Sequence, residues 1–153
     1  MEALKLKVPP VVLVFITMLL MTLTKSTTPQ WALTFEFASA LATTLIAVGA
    51  AIAIAGVWAF KRAQTTVNPM APSEASNLVC TGIYRLTRNP MYLGFLLALL
   101  AFASYLQHPM TLIWCALFVW YMTEFQIKPE EHMLAEIFGR PYHDYCSQVR
   151  RWL

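Results

Sequence analysis

Tyr84, Arg85, Arg88, Asn89, Pro90 and Tyr92 crowd into the stretch GIYRLTRNPMYLG (82–94), immediately before a long apolar run. Asparagine before proline is held out of the α region, and proline suits the first helical position, so Asn89 reads as an N-cap. A helix start offers unpaired N–H groups and a positive dipole end, a place to hold an anion such as a carboxylate. The same residues also fit a plainer role, in which Asn89-Pro90 only starts a helix and Arg85 and Arg88 anchor it to lipid phosphates. Downstream, KPEEHMLAEIFG (128–139) carries Glu130 and Glu131 after Pro129 and stops at Gly139. Acids in a first turn suit the helix dipole.

Two further acids, Glu36 and Glu124, fall near the ends of apolar runs. An acid inside a membrane faces a cavity or a partner, and Glu124 is placed to join the pocket of Glu131. Glu36 has no assigned role. Met133, Leu134, Ile137 and Phe138 form an apolar stripe that lays the helix against the membrane or the bundle. Tyr142, Tyr145, Val149 and Trp152 also recur at helical spacing, with Arg150 and Arg151 beside them, and read as an interfacial anchor and packing.

These residues need positioning elements, and composition says of what kind. The chain has 153 residues, 58% hydrophobic and 12% charged, against about 25% charged in soluble domains. That deficit predicts an all-α integral membrane protein, residues 1–153 forming one membrane domain. Four transmembrane helices are predicted over 8–24, 32–60, 90–106 and 110–127, the last two short for a bilayer and joined by the breaker Gln107-His108-Pro109. Gly49, Ala51, Ala53, Ala55 and Gly56 in the second are a candidate face for close helix packing. Of the eleven lysines and arginines, only Lys25 falls on one side of this arrangement. The others, from Lys5 and Lys7 to Arg151, share the opposite side, which predicts both termini in the cytoplasm. The polar segments 61–89, with Pro69 and Pro72, and 128–153 then lie on that side too.

Several classes are excluded. A net charge of +3 argues for no nucleic acid. Cys80, Cys115 and Cys146 make no C-x-x-C, and His108, His132 and His143 no ligand pattern, so neither disulfide framework nor metal is expected. TKSTTPQW after the first run lacks a small-x-small cleavage signal, so that run reads as a retained span.

LVCTGIYRLTRNPMYLG, then an apolar hairpin, then EEHMLAEIFGRPYHDYCSQVRRWL resembles the isoprenylcysteine carboxyl methyltransferase and phospholipid methyltransferase superfamily of integral membrane methyltransferases. The likeness covers residues 76–153. It rests on G-[IV]-Y-R-x₃-[HN]-P-x-Y followed by E-E-x₆-F-G-x₂-Y-x₂-Y. The resemblance implies a methyltransferase with an S-adenosylmethionine site on the cytoplasmic side. By position, Asn77, Leu78 and Val79 would line the adenosyl pocket and Tyr84 would close over the cofactor. Asn89, Pro90, Met91 and Tyr92 would meet its methionine portion, and Glu130 would hydrogen-bond it while Glu131 supports the helix. The chain departs from the prenylcysteine enzymes in having Asn89 for their histidine. It also has Gln126 for the arginine that helps hold their substrate carboxylate, which leaves a different lipophilic acceptor open.

The implied chemistry is displacement at a sulfonium methyl by oxygen, nitrogen or sulfur. The protein's part is alignment and exclusion of water, alignment alone being worth about 7–11 kcal/mol. Ring faces of Tyr84 and Tyr92 would add about 0.5–2 kcal/mol each toward the cation. The expected partners are a lipophilic small molecule or lipid substrate and the surrounding membrane lipids. Small size points to a bacterial inner membrane. Two other readings fit the same chain: an accessory membrane subunit with a degenerate cofactor site, and a proton-coupled transporter of four helices built on Glu124 or Glu36.

Overall fold

The computed structural model describes residues 6–64 and 77–153; Lys5, Pro69 and Pro72 lie outside them. Among the described residues every regular element is helical. They are α1 (Pro10–Thr27), α2 (Ala38–Arg62), α3 (Pro90–Leu106), α4 (Thr111–Tyr121), a π-helical segment (Met122–Ile127), α5 (Lys128–Phe138) and α6 (Arg140–Gln148), with single 3₁₀ turns at Pro29–Trp31 and Gly82–Arg85.

Helices α1 and α2 are long and apolar enough to cross a bilayer, and α3 is a shorter apolar helix. Their outer faces are bare: Phe15, Leu19, Ile54 and Trp58 of α1 and α2, and Ile113 and Trp120 of α4, are all more than half exposed. Apolar surface on that scale needs a non-aqueous surrounding. Within α1, Thr17, Thr22 and Thr24 return their hydroxyl hydrogens to the carbonyls of Leu13, Met18 and Leu20, which removes the cost of polar groups in an apolar helix. Thr24 also accepts the Trp114 indole N–H at 2.8 Å, tying α1 to α4.

The tightest crossing is α2 on α3. A Cβ placed on Gly94 would lie 2.8 Å from the Gly49 carbonyl oxygen and 2.9 Å from Ala53 Cβ, and one on Gly56 would meet Pro90 at 3.0 Å. Gly49, Ala53 and Gly56, spaced by four and three, are thus the packing face; Ala51 points outward. In lipid there is little hydrophobic drive between helices, so this close backbone approach supplies the attraction.

Besides shifts of one to three residues at the ends of α1, α2 and α4, three boundaries differ from the sequence expectation. The second helix begins at Ala38, not residue 32, because Pro29–Trp31 closes a local turn and the residues after it, Leu33 and Phe35, bond to the opposite loop. The Leu33 N–H reaches the Gln107 carbonyl at 2.8 Å, and the Gln107 side chain brackets Phe35. Glu36 therefore lies before the helix rather than inside it. At the fourth run, helix does not stop at Ile127 but continues through the π segment into α5. Pro129 has no N–H, and its ring crowds the carbonyl four residues back, so the helix widens by one residue instead of breaking. That carbonyl, on Phe125, takes the Leu6 N–H at 3.1 Å. Finally, α6 ends at Gln148 and Val149 is extended, so Trp152 does not continue the tyrosine stripe; its indole N–H donates to Thr123 at 3.1 Å.

Candidate active site

At the end of the bundle where α3 starts and α5 begins, five pieces converge on one cleft: the end of α2, residues 77–79, the 3₁₀ turn with the residues after it, α5 and α6. Each is placed by local chemistry. Gly82, at φ +61°, turns the chain into the 3₁₀ turn that buries Tyr84. Gly139, at φ +56°, ends α5 and folds α6 back. The Tyr84 ring meets Phe60 of α2 edge-on at 5.2 Å, and the Tyr145 hydroxyl donates to the Tyr84 carbonyl at 2.7 Å. The Asn77 amide donates to the Ala63 carbonyl at the end of α2 at 2.8 Å.

Glu130 forms the acidic wall. Its Oε1 accepts the Tyr92 hydroxyl and the Gln126 amide, each at 2.5 Å. No cation pairs with it among the described residues. Burial pushes the Glu130 carboxyl up to about 7; the two hydrogen bonds pull the other way, and neighbouring Glu131 adds to the rise. Burial likewise raises the Tyr84, Tyr142 and Tyr145 hydroxyls, so all three stay neutral.

Glu131, one residue on, is engaged differently. Arg88 Nη2 donates to it at 2.8 Å, and Arg151 holds both its oxygens, at 2.9 and 2.7 Å. The tail is sewn to the residues before α3 by more than this pair. The Arg150 carbonyl accepts the Arg88 N–H at 3.0 Å, and the Arg151 carbonyl accepts the Asn89 amide at 2.9 Å and the Thr87 hydroxyl at 3.3 Å. Arg151, held by Glu131, gains basicity from that hydrogen bond.

Of the residues named from sequence, Asn77, Leu78, Val79, Tyr84, Asn89 and Glu130 line the common cleft. Tyr92 and Gln126 stand behind Glu130 as its hydrogen-bond donors. Pro90 is buried against Gly56, and Met91 faces away, into an apolar groove of about 380 Å³ walled by Ala53, Val57, Trp58 and Phe95 with Lys61 at its polar end. Three expectations are corrected. Asn89 makes no side-chain cap, because its amide is spent on the tail. Arg88 is bound to Glu131 and Cys146 rather than free for lipid phosphates. Glu124 pairs with Lys128 at 2.5 Å on an exposed face and does not join the cleft.

The sequence reading missed Arg88, Tyr142 and Tyr145 as cleft residues. Tyr142 and Tyr145 are buried, at 4% and 9% exposure, not interfacial. The usable signal was charge: two acids in one turn of an apolar chain call for cations, and Arg88 and Arg151 are candidates on the same side by predicted topology. The cleft is narrow, with about 70 Å³ free, against roughly 300–1,000 Å³ in typical small-molecule sites. A nucleoside-sized ligand needs more room than this.

A family model described as phospholipid methyltransferase matches residues 37–141. Protein-S-isoprenylcysteine O-methyltransferase B of Arabidopsis thaliana is 31% identical over 106 residues, 69% of this chain and 54% of that one. The A protein of the same plant is 32% identical over 105 residues, 69% and 53% of the two chains. A probable protein-S-isoprenylcysteine O-methyltransferase of Oryza sativa subsp. indica is 29% identical over 119 residues, 78% and 62%. The matches thus span between about half and three fifths of these relatives. No solved structure gives a significant match.

Proposed function

The chain belongs to the phospholipid methyltransferase family, and from that premise we propose that it is a membrane-embedded methyltransferase using S-adenosylmethionine on a lipophilic acceptor. The observation that carries the reading is the cleft itself. Among apolar helices it gathers a carboxylate without a cationic partner, a largely buried arginine and five aromatic rings, from Phe60, Tyr84, Phe138, Tyr142 and Tyr145. That set suits a ligand carrying an aromatic base, a cationic sulfur and an amino-acid group. When bound, the cofactor supplies a methyl on positive sulfur that a nucleophilic oxygen, nitrogen or sulfur displaces.

The residues' work is then binding and alignment. Asn77, Leu78, Val79 and Phe60 receive the base, and Tyr84 covers it. Glu130, poised by Tyr92 and Gln126, faces the cationic part, its charge sustained by two neutral donors rather than quenched by an ion pair. Positive charge fades from sulfur in the transition state, so a moderately stabilised carboxylate binds the donor without trapping it. Tyr92 acts through Glu130, and Asn89 and Pro90 shape the cleft's rim from the start of α3.

For the acceptor, the α2–α3 groove opens on the lipid-facing surface beside Met91, one residue from Tyr92. It suits a hydrocarbon chain. Gln126 is buried and spends its amide on Glu130, so it brings no positive charge to hold an acidic headgroup. On this reading α4 with its π segment makes a fourth crossing, and the distribution of lysine and arginine supports both termini and the cleft on the cytoplasmic side. The transporter reading loses its acids, since Glu124 is ion-paired at the surface and Glu36 precedes α2.

The test is incubation of membranes holding the protein with methyl-labelled S-adenosylmethionine, followed by identification of the labelled lipid-soluble product. Label that appears only with the protein present supports the proposal. Calorimetry showing neither S-adenosylmethionine nor S-adenosylhomocysteine bound by the purified protein defeats it.

A further inference from the structure

Arg88 is nearly enclosed, its side chain 12% exposed, and two of its three nitrogens are accounted for. Nη2 donates to Glu131 and Nη1 to the Cys146 carbonyl. The third, Nε, is fully buried and has no hydrogen-bond partner. Buried donors are nearly always satisfied, and an unsatisfied one costs more when its group is charged. Arg88 also lines the cleft, on the side of Asn89 and Tyr142.

The surroundings say what would satisfy it. Glu131 is already shared with Arg151 and has no need of more positive charge. Glu130 is held by neutral donors only. Two residues lining the same cleft therefore carry one unsatisfied cationic donor, just before α3, and one uncompensated carboxylate, on α5. A zwitterionic amino-acid group, with a carboxylate and an ammonium on one carbon, complements both; a purely cationic or neutral ligand complements at most one. Fixed by Glu131, by Cys146 and by its own backbone N–H to the Arg150 carbonyl at 3.0 Å, the guanidinium has little freedom to turn elsewhere. Preorganisation of this kind turns a donor into a selective one.

We propose that Arg88 is the carboxylate-recognition residue of this cleft, its Nε–H taking the carboxylate of the methyl donor's amino-acid portion. The proposal rests on the reading that the cleft holds S-adenosylmethionine and names which end of that ligand is selected for. An acidic lipid acceptor is the other source of a carboxylate, and ligand choice separates the two.

The experiment measures calorimetric affinity of the purified full chain in detergent for S-adenosylhomocysteine and for its decarboxylated analogue. The wild-type protein is expected to prefer the carboxylate form by about tenfold or more, the weight of one charge-assisted hydrogen bond. Arg88→Lys keeps a cation beside Glu131 but removes the Nε–H; in it the preference should collapse while affinity for the decarboxylated ligand holds. Glu131→Gln loosens the same network without removing the donor and should keep the preference. Equal wild-type affinity for the two ligands overturns the proposal alone, whether or not the lysine variant folds. So does an unaltered preference in Arg88→Lys, or an equal loss toward both ligands. Failure of the wild type to bind either ligand overturns the cofactor reading and this proposal with it.

Discussion

Tyr92 and Glu130, 38 residues apart in sequence, meet at 2.5 Å between hydroxyl and carboxylate. The bond joins the first turn of α3 to the first turn of α5, and it joins the apolar bundle to the cleft. Tyr92→Phe keeps the buried ring but removes the donor. With that bond gone the Glu130 carboxyl should rise further, and donor affinity at pH 7 should fall by about tenfold, as for one hydrogen bond to a charged group. Calorimetry in parallel with thermal unfolding checks this: the affinity drops and the melting temperature changes little.

Glu130 should give the site a visible pH dependence. Its ionised form is the one that holds the donor's cationic groups, the ammonium and the sulfonium, so affinity for S-adenosylmethionine should climb between pH 6 and 8 as the group near 7 loses its proton. S-adenosylhomocysteine, whose sulfur is neutral, should depend less on pH. Glu130→Ala should abolish methyl transfer and leave a folded protein. A flat affinity profile for the sulfonium ligand over that range would remove Glu130 from its role.

The same group bears on stability, with the opposite sense from a salt-bridged acid. Its folded value lies above the unfolded 4.5, so the folded chain holds this proton more tightly. Its contribution favours folding below pH 4.5 and is lost as pH rises toward 7. Glu130→Gln, which cannot ionise, should therefore gain in melting temperature relative to wild type as the buffer moves from pH 5 to pH 8. Melting curves at the two pH values decide it.

Gly94→Ala should destabilise the bundle by about 1–3 kcal/mol, the usual result of overpacking. The new methyl meets the Gly49 carbonyl and Ala53 on α2, neither of which can swing aside. The readout is melting temperature in detergent. Gly82→Asn serves as a comparison: it has no neighbour within reach, and asparagine tolerates its positive φ.

Arg151→Gln should weaken donor binding although Arg151 itself is not among the residues lining the cleft. The bidentate hold on Glu131 goes, and Arg88 and Asn89 lose part of what fixes them; a stability loss of about 1–3 kcal/mol accompanies it. Tyr145→Ala should act mainly through stability as well, since its hydroxyl holds the Tyr84 carbonyl. Unchanged affinity in a folded Arg151→Gln protein would show that the tail is mere packing.

Legibility in the sequence followed the kind of signal involved. The helix Pro90–Leu106 matches its expected limits because Asn89-Pro90 and the left-handed Gln107 are local backbone chemistry. The start of α2 did not, because hydropathy cannot separate an apolar turn from an apolar helix, and only contact with Gln107 across the bundle decides it. The gathering of Asn77–Val79, Tyr84, Asn89 and Glu130 in one cleft accords with motif order. The roles of Arg88, Tyr142 and Tyr145 depend on long-range pairings, Arg88 with Glu131 and Tyr145 with Tyr84, that leave no periodic trace. Met91 misled for a different reason: neighbours on a helix face different ways, so one motif serves both cleft and groove.

The widened turn at Met122–Ile127 sets a phase. An extra residue lodged there advances the azimuth of everything downstream by about 100° relative to a regular α-helix. Forcing this stretch into a regular α-helix at its present length would swing both glutamates a quarter-turn or more away from Tyr92 and Arg88. The stretch is therefore less free to change than its greasy, permissive composition suggests: a substitution that closes the wide turn without changing its length re-aims the whole acidic wall.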